Sequence, residues 1–374
     1  MTDAIKNDDG KIVALWEKHF SNKKKNIAIY GIGKWTKLIL DTCDCGNIMA
    51  LLDETHIGEC IYGKPVISVE AALAQDVDII VIVARSSNIK TIYRRIRGIC
   101  KANKVDVYDI RGNSLDGDKQ NEKILEKYRA INKSSLREKI ALAEVVCFDV
   151  FDTLLTRRVL YPDDVFALLA QRNGIENFAS LRKKAEAQLS REGGVPNIYD
   201  IYQQLGSATA KQEIETETEI MLSRKAMVDM LDYALAQMKI VYLASDMYLP
   251  KQVIKELLDN LGIHMDISQI LVSCDFAVSK SNGLFTILRN MVGDKKILHI
   301  GDNYEADMEA ALRYGIDDIF AIESGLSMLE DSSAESILDY DGTLQNRLVI
   351  GEFVAMQFND PFAFLAVSDE YAQR

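Results

Sequence analysis

Short apolar blocks alternate with helix-like blocks along most of this 374-residue chain, and this alternation limits its possible fold more than any other feature. In the first part of the chain the apolar blocks are residues 26–30, 48–52, 78–84 and 105–108. In the second part they are residues 144–149, 240–244, 269–272, 296–300 and 318–322. Strands that alternate with helices form parallel sheets joined by right-handed crossovers. The sequence therefore predicts an α/β protein with two tandem Rossmann-like parallel-sheet domains.

Interruptions of this pattern indicate where the domains end. Residues 111–118 form the clearest polar break, and residues 120–143 after it have a helical pattern. Residues 162–238 also have helical periodicity, with few candidate strands, which predicts a helical insertion in the second domain. The expected division is an N-terminal Rossmann-like domain over 1–115, a helical linker over 116–143, a core over 144–325 with an insertion over about 160–238, and a helical C-terminal extension over 326–374.

The charge and the apolar runs exclude several classes of protein. The net charge of −12 argues against a nucleic-acid partner or an anionic-membrane binder, because both present negative phosphates. The longest apolar runs, such as 78–84, are too short to cross a bilayer, and the polar residues 1–10 lack the apolar core of a signal peptide. We therefore expect a cytoplasmic protein without membrane insertion.

Cysteine and histidine offer no metal-binding pattern. The six cysteines include no C-x-x-C pair, and the four histidines are scattered along the chain. A metal site in this protein would therefore be built from carboxylates, whose oxygen atoms favour Mg²⁺.

Chemically useful side chains lie after strands in the second part of the chain. They are Asp149, Ser245, Lys280 and the pair of Asp302 and Asp307. The carboxyl ends of parallel strands share one edge of a sheet, where open α/β sheets bind their ligands. A carboxylate nucleophile, a hydroxyl group, a lysine and a carboxylate pair are sufficient for phosphoryl transfer through an aspartyl intermediate.

The ordered set Asp149-x-x-x-Thr153, Ser245, Lys280 and Gly301-Asp302-x-x-x-x-Asp307 resembles the four motifs of the haloacid dehalogenase-like (HAD) superfamily, over residues 144–322. Residues 148–155, 245–250 and 358–362 are similar to a bacterial branch associated with surface-polysaccharide biosynthesis. The resemblance implies a Mg²⁺-dependent phosphohydrolase, or a phosphotransferase, whose helical insertion is a cap. The implied substrate is a small phosphorylated metabolite, such as a sugar phosphate or a nucleotide-linked glycan precursor.

The resemblance also implies a role for each matching residue. Asp149 would be the nucleophile, Ser245 would bind a phosphoryl oxygen, and Lys280 would neutralise the charge of the transition state. Mg²⁺ would be held by Asp149, the backbone carbonyl of Phe151, Asp302 and Asp307, with Asp307 acting directly or through water.

One position departs from the pattern of the family's phosphatases. They usually carry a second aspartate, an acid and base, two positions after the nucleophile, where this chain has Phe151. Asp152 follows, but on an extended segment it would point to the opposite face and would not replace that acid. Three outcomes are open: the cap supplies the proton, the substrate has a good leaving group, or hydrolysis is slow. Basic cap residues are candidates for binding an anionic substrate, although each is more simply a solvated charge: Arg157, Arg158, Arg182, Lys183, Lys184 and Arg191.

The N-terminal part of the chain carries a second pattern. Gly31 and Gly33 follow the first strand, and Asp53 ends the second strand, as a ribose-binding acid would in a nucleotide site. A structural turn explains the glycines equally well. Two alternative functions therefore stay open: a binding or scaffold protein with weak or no catalysis, and an NAD- or nucleotide-sugar-binding enzyme whose chemistry lies in the N-terminal domain.

Overall fold

The computed structural model describes residues 2–21, 24–54, 56–84, 86–115, 120–174, 177–191, 194–206 and 210–364. The chain divides into two compact units, Met1–Ile124 and Leu125–Arg374. Each unit contains a mainly parallel sheet with helices, so the predicted α/β class with two parallel sheets is confirmed. Among the described residues, no helix is both long enough and apolar enough to cross a membrane.

The first unit is built on a six-stranded sheet. Its strands are β1 (Ile27–Tyr30), β2 (Ile48–Leu52), β3 (Cys60–Ile61), β4 (Lys64–Ile67), β5 (Ile79–Ile82) and β6 (Asp106–Asp109). The spatial order is β3-β4-β2-β1-β5-β6, and all the pairings are parallel except that of β3 with β4. Its helices are α1 (Thr2–His19), α2 (Lys34–Thr42), α3 (Val69–Leu73) and α4 (Ser86–Ala102).

The short hairpin of β3 and β4 is absent from the sequence-based expectation. Its turn residues Tyr62 and Gly63 both have left-handed backbone, with φ of 51° and 76°. Pro65 lies within β4, and proline in a strand is confined largely to edges and bulges. A two-residue strand beside a proline and a glycine gives no alternating apolar pattern, so these residues looked like a loop.

The second unit contains a five-stranded parallel sheet. Its strands are β7 (Val145–Phe148), β10 (Ile240–Ser245), β11 (Ile270–Val272), β12 (Ile297–Gly301) and β13 (Asp318–Ala321). They lie in the order β11-β10-β7-β12-β13, with β7 in the centre. Every residue of β7 and β12 is buried, which explains why their sequences are continuous apolar runs.

Helices cover this sheet and form the insertion between β7 and β10. Before the sheet come α5 (Gln120–Ala130), within which the two units divide, and α6 (Lys133–Leu142). The insertion contains α7 (Asp164–Asn173), α8 (Phe178–Arg191), α9 (Ile198–Leu205) and α10 (Ala210–Ile220). The later helices are α11 (Lys225–Ala236), α12 (Lys251–Asn260), α13 (Ser273–Phe276), α14 (Leu284–Val292), α15 (Ala310–Arg313), α16 (Gly325–Asp331) and α17 (Leu344–Gln357).

The chain enters and leaves the insertion along a small antiparallel ladder. Strand β8 (Leu155–Arg157) leads in, β9 (Met221–Ser223) leads out, and the two strands pair with each other. With three residues each, both strands are too short for a clear periodic signal. The helical insertion is thus confirmed, with a two-stranded base that the sequence did not reveal.

The C-terminal extension is helical, as predicted, and it packs on the start of the insertion. A Cβ atom at Gly351 of α17 would overlap the backbone of Val159 and Leu160, so only glycine permits this close approach. Arg347 of the same helix pairs with Asp164 of α7, Nε to Oδ1, at 2.7 Å. The extension is therefore part of the second unit's packed structure.

Candidate active site

A cavity of about 610 Å³ lies at the carboxyl edge of the second sheet. The side chains proposed from sequence in this part of the chain line it together: Asp149, Phe151, Ser245, Lys280, Asp302 and Asp307. Residues of the insertion, among them Arg157, Phe166, Lys183 and Glu217, form the rest of its wall. The structure thus brings the six residues to one place, and their catalytic and metal-binding roles stay predictions.

Lys280 is the centre of a buried charge network. Its ammonium group donates hydrogen bonds to Oδ1 of Asp149 and, at 2.5 Å, to Oδ1 of Asp307. Lys280 and Asp307 are almost completely buried, and Asp149 is only 5% exposed. His299, on β12, places Nε2 2.9 Å from the same Asp307 oxygen. Buried charges persist only when they are paired, and this network supplies the pairing.

The shifts in pKa follow from burial and from these contacts. Burial raises the pKa of Asp149 to about 7, against the opposing effect of Lys280. Burial alone would lower the pKa of Lys280, but Asp149 and Asp307 hold it above its usual value. Burial alone would also raise the pKa of Asp307, but Lys280 and His299 hold it well below its usual range. Lys280 is therefore a permanent cation beside two carboxyl groups.

Asp302 completes a cluster that fits a divalent cation. Asp149, Asp302 and Asp307 each offer an oxygen atom within 4.8 Å of the others. Burial, followed by the charges of Asp152, Asp149 and Asp307, raises the pKa of Asp302 well above its usual value. A bound cation would relieve this repulsion, and carboxylate oxygens are the donors that Mg²⁺ prefers. The residues present therefore fit a magnesium ion.

The local backbone explains why the motif around Asp302 has its sequence. A Cβ atom at Gly301 would overlap the side chain of Asp307, so the glycine is needed to seat that carboxylate. Asp307 lies in a π-helical turn, Tyr304–Glu309, whose first N–H groups are capped by the side chain of Asn303. Turns of this kind occur frequently at functional sites. The Asn303 N–H also donates to Oδ2 of Asp307 at 3.0 Å.

Ser245 ends β10 and is buried at the cavity wall, 1% exposed. The next residue, Asp246, accepts a hydrogen bond from the backbone N–H of Lys280 at 2.8 Å. This bond fixes the loop that carries the lysine relative to the end of β10. The sequence places Asp246 directly after the predicted hydroxyl but gave no indication of this supporting contact.

Phe151 lies under a guanidinium group. The Arg157 Cζ atom is 4.5 Å from the centre of the Phe151 ring. Arg157 donates two hydrogen bonds to the carboxylate of Glu217, from Nε at 2.8 Å and from Nη2 at 3.1 Å. Two positions after Asp149 the chain thus places an aromatic ring stacked on an ion-paired arginine.

The expectation of an extended segment at Asp152 is wrong. This residue has φ of 57°, in the left-handed region, and it begins a turn rather than continuing a strand. The alternation of side chains along a strand therefore does not apply, and Asp152 lines the same cavity as Phe151.

The basic residues of the insertion fall into different environments. Arg182 is fully buried and pairs with Glu213 at 2.9 Å, Nε to Oε2, so it is an internal structural charge. Lys183 lines the cavity but is 55% exposed and pairs with Asp163. The side chain of Arg191 lies outside the described residues. Of the predicted cap cations whose side chains are described, Arg157 is the one that lines the cavity with its side chain largely covered, 9% exposed.

Arg224 is a further residue that sequence reasoning missed. It is buried beside the site and donates to three backbone carbonyls, those of Asp152, Glu323 and Asn359. These carbonyls belong to the loop after β7, the segment after β13 and the C-terminal extension. No local sequence pattern indicates such a residue, since its partners are distant along the chain.

The predicted nucleotide site of the first unit has a different character. Gly31 has φ of 113°, and its Cβ would lie 2.6 Å from the carbonyl oxygen of Val83, so packing requires this glycine. Gly33 has open space around it. Asp53 Oδ1 lies 2.8 Å from Nδ1 of His56. A nucleotide at Gly31, Gly33 and Asp53 stays a prediction.

No family model and no curated protein matches this chain. In part, the chain is similar to the magnesium-bound HAD-hydrolase YfnB of Bacillus subtilis, at 18% identity and a TM-score of 0.34, covering 47% of this chain and 87% of that one. A HAD phosphatase of Thermococcus onnurineus gives the same identity and TM-score, over 47% and 85% of the two chains. The chain is also similar in part to L-2-haloacid dehalogenase of Xanthobacter autotrophicus, at 12% identity and a TM-score of 0.35, covering 56% of this chain and 87% of that one. Similarity at this level does not decide what the chain does.

Proposed function

We propose that this protein is a HAD-superfamily phosphohydrolase that uses Mg²⁺ and forms an aspartyl-phosphate intermediate on a small phosphorylated metabolite. The observation that carries this proposal is the buried contact of Lys280 with both Asp149 and Asp307, beside Asp302, in a cavity at the carboxyl edge of a parallel sheet. A nucleophilic carboxylate, a fixed cation and an acidic cluster are the parts that phosphoryl transfer needs.

The chain's own residues divide the work of the first step. A carboxylate oxygen of Asp149 attacks phosphorus, and the bond from phosphorus to the leaving oxygen breaks with its electron pair on that oxygen. Lys280 stabilises the negative charge on the transferring group, and the Ser245 hydroxyl donates a hydrogen bond to one of its oxygens. The loop after β7 is held in place by the Asp149 N–H, which donates to the Ile300 carbonyl at 2.8 Å.

When bound, Mg²⁺ would screen the charges of nucleophile and phosphate from each other. It would be held by Asp149, the Phe151 carbonyl and Asp302. Both oxygens of Asp307 already take part in hydrogen bonds, Oδ1 with Lys280 and His299 and Oδ2 with the Asn303 N–H. This arrangement favours the indirect role for Asp307 over direct ligation.

The test is phosphate release from a panel of phosphorylated metabolites, with and without Mg²⁺. We expect Asp149→Asn to lower the release by about 10³-fold or more. Asp232→Asn, an exposed change of the same chemistry on α11, is the matched control and should keep wild-type activity. Equal activity in Asp149→Asn would place the chemistry elsewhere.

If no compound of the panel releases phosphate at high protein concentration, the result would instead favour a binding or scaffold protein. The finer expectations from sequence, a sugar phosphate or nucleotide-linked precursor as substrate, a phosphotransferase variant of the reaction, and a place in surface-polysaccharide biosynthesis, stay predictions that the same panel addresses.

A further inference from the structure

The carboxyl groups on the insertion side of the cavity are each paired with a cation. Glu217 pairs with Arg157 at 2.8 Å, Nε to Oε2. Glu186 pairs with Arg182, and Asp163 pairs with Lys183, both with an N–O distance of 2.7 Å. Among the described residues, this wall therefore presents no unpaired carboxyl group to a departing group.

The same wall presents a guanidinium edge. Arg157 uses Nε and Nη2 for Glu217, and among the described residues none accepts a hydrogen bond from its Nη1. The side chain is 9% exposed, lines the cavity and rests on the ring of Phe151. Arginine has five N–H donors in a fixed plane, so a ligand in the cavity can be bound by the remaining edge. A guanidinium fixed by a buried carboxylate is well suited to bind an oxyanion.

We infer that the preferred substrates are phosphoanhydrides or acyl phosphates, whose leaving group departs as a phosphate or carboxylate anion, and that the Nη1 edge of Arg157 binds this leaving group. The inference rests on the proposed phosphohydrolase function and names its substrate class. Arg157 would take over, by charge, the assistance that an acid at the position of Phe151 would give by proton transfer.

The chemistry balances without an added proton. When Asp149 attacks, the bond from phosphorus to the bridging oxygen breaks, and its electron pair leaves on a phosphate or carboxylate that is stable as an anion at neutral pH. In the second step water adds to phosphorus, the electron pair of the aspartyl bond returns to Asp149, and the proton lost by water goes to the released phosphate. A sugar or glycerol alkoxide would require a proton at the first step, and general acid catalysis is worth about 10²–10⁴-fold there.

Two other carboxyl groups line the cavity outside the proposed metal set and the three ion pairs, namely Asp152 and Asp246. Asp246 follows Ser245 on the side that binds the phosphoryl group, and its Oδ1 accepts the N–H of Lys280. Asp152 adjoins Phe151. Both are rivals as proton donors, and the experiment includes them.

The first measurement is kcat/KM of the full chain with Mg²⁺ for three phosphate esters of rising leaving-group basicity: 4-nitrophenyl phosphate, phenyl phosphate and glycerol 3-phosphate. We expect kcat/KM to fall by at least about 10²-fold across the series, because no acid assists the poorer leaving groups. A flat series in the wild type that becomes steep in Asp152→Asn or Asp246→Asn would identify a proton donor and overturn the inference.

The second measurement isolates Arg157. Pyrophosphate, acetyl phosphate and 4-nitrophenyl phosphate all have weakly basic leaving groups, but only the first two release a phosphate or carboxylate. The kcat/KM ratio of pyrophosphate to 4-nitrophenyl phosphate should fall about 10- to 100-fold in Arg157→Met/Glu217→Gln. This double variant removes the pair together, so that no unpaired buried charge is left. The kcat/KM ratio of acetyl phosphate to pyrophosphate shows whether a carboxylate or a phosphate is the preferred leaving group.

Arg172→Met is the matched control, since Arg172 is another arginine of the insertion paired with a glutamate, Glu219, but its side chain is 44% exposed and does not line the cavity. It should change the ratio by less than twofold. An unchanged ratio in the double variant, with thermal unfolding showing that it is folded, would overturn the assignment of Arg157 and leave the phosphohydrolase proposal intact. Absence of phosphate release from every compound by the wild type would overturn both.

Discussion

Apart from the additional antiparallel edge strand β3 of the first sheet, the two sheets of this protein have the same strand order, but their carboxyl edges differ. In each, the first strand along the chain lies in the interior, with strands added on one side and then on the other. At the edge of the second sheet lie Lys280, Asp149 and Asp307, all buried, with both carboxyl groups paired to the lysine. At the edge of the first lie a tight glycine turn at Gly31 and Asp53, which contacts the half-exposed His56. Topology fixes where a site can form, and the side chains decide whether one is built.

The largest expected effect is from Lys280→Met. This change tests whether the carboxyl edge of the second sheet needs the pairing of Lys280 with Asp149 and Asp307 for its stability. The change leaves Asp149 and Asp307 buried without their cation and should lower the free energy of unfolding by about 3–5 kcal/mol. Both tryptophans, Trp16 and Trp35, lie in the first unit, so fluorescence follows that unit while circular dichroism follows the whole chain. We expect the unfolding free energy to fall in denaturation followed by circular dichroism and to change little in denaturation followed by tryptophan fluorescence. A loss below 1 kcal/mol would mean that the network is not needed for stability.

Magnesium should stabilise the edge of the second sheet. At a hundred times its dissociation constant, Mg²⁺ is expected to raise the free energy of unfolding by about 2.7 kcal/mol. Asp302→Asn removes one of the clustered carboxylates and should abolish most of this gain. The measurement is thermal unfolding at constant ionic strength, with K⁺ as the control cation. If Mg²⁺ stabilises the variant as much as the wild type, the metal does not bind at Asp302.

Alanine at Gly31 tests the turn at the first edge. Its Cβ would meet the Val83 carbonyl oxygen, and the residue would keep a left-handed φ, so we expect a loss of about 1–3 kcal/mol in denaturation followed by tryptophan fluorescence. Gly33→Ala is the control, because open space surrounds that position and its φ is −75°. Gly33→Ala should therefore lower the free energy of unfolding by less than Gly31→Ala does. Equal losses would show that Gly33 has a structural role not visible in its packing.

The smallest expected effect is from Asp53→Ala, whose unfolding midpoint should match the wild type, because partly exposed ion pairs add little to stability. The same variant decides the nucleotide prediction. Titration of wild type and variant with NADH and a UDP-sugar should give no saturable binding that depends on Asp53. Such binding, if found, would show that the carboxyl edge of the first sheet also holds a ligand, as is proposed for the second sheet.

The sequence predicted the long elements well, and the side chains that it proposed for a site line one cavity in the structure. Apolar runs such as Ile297–Ile300 are buried on both faces and give an unmistakable signal, and the polar residues that follow them meet at one edge because parallel strands all end there. The two short ladders, β3 with β4 and β8 with β9, were missed. Strand β3 has two residues, β4 contains a proline, and β8 and β9 mix polar with apolar residues over three positions, so none of them gives a continuous apolar run. The extended conformation expected at Asp152 also failed, since a single left-handed residue leaves little trace in a sequence.

The residues that support the site were harder to foresee. His299 appeared to be an isolated histidine in an apolar strand, and its link to Asp307 depends on the π-helical turn that follows. Glu217 and Arg157 are sixty residues apart along the chain and meet through the ladder at the base of the insertion. Pairings between distant residues are set by the tertiary structure, which local patterns do not encode.

Arg224 has a consequence for how the protein is made. Its guanidinium group joins carbonyls that lie 72 residues before it and 99 and 135 residues after it in the chain. During synthesis the loop that carries Asp149 therefore stays without this donor's full set of contacts until residue 359 has left the ribosome. A nascent chain that stops short of Asn359 leaves the buried guanidinium of Arg224 with one acceptor fewer, so this support of the loop is complete only after the C-terminal extension has been made.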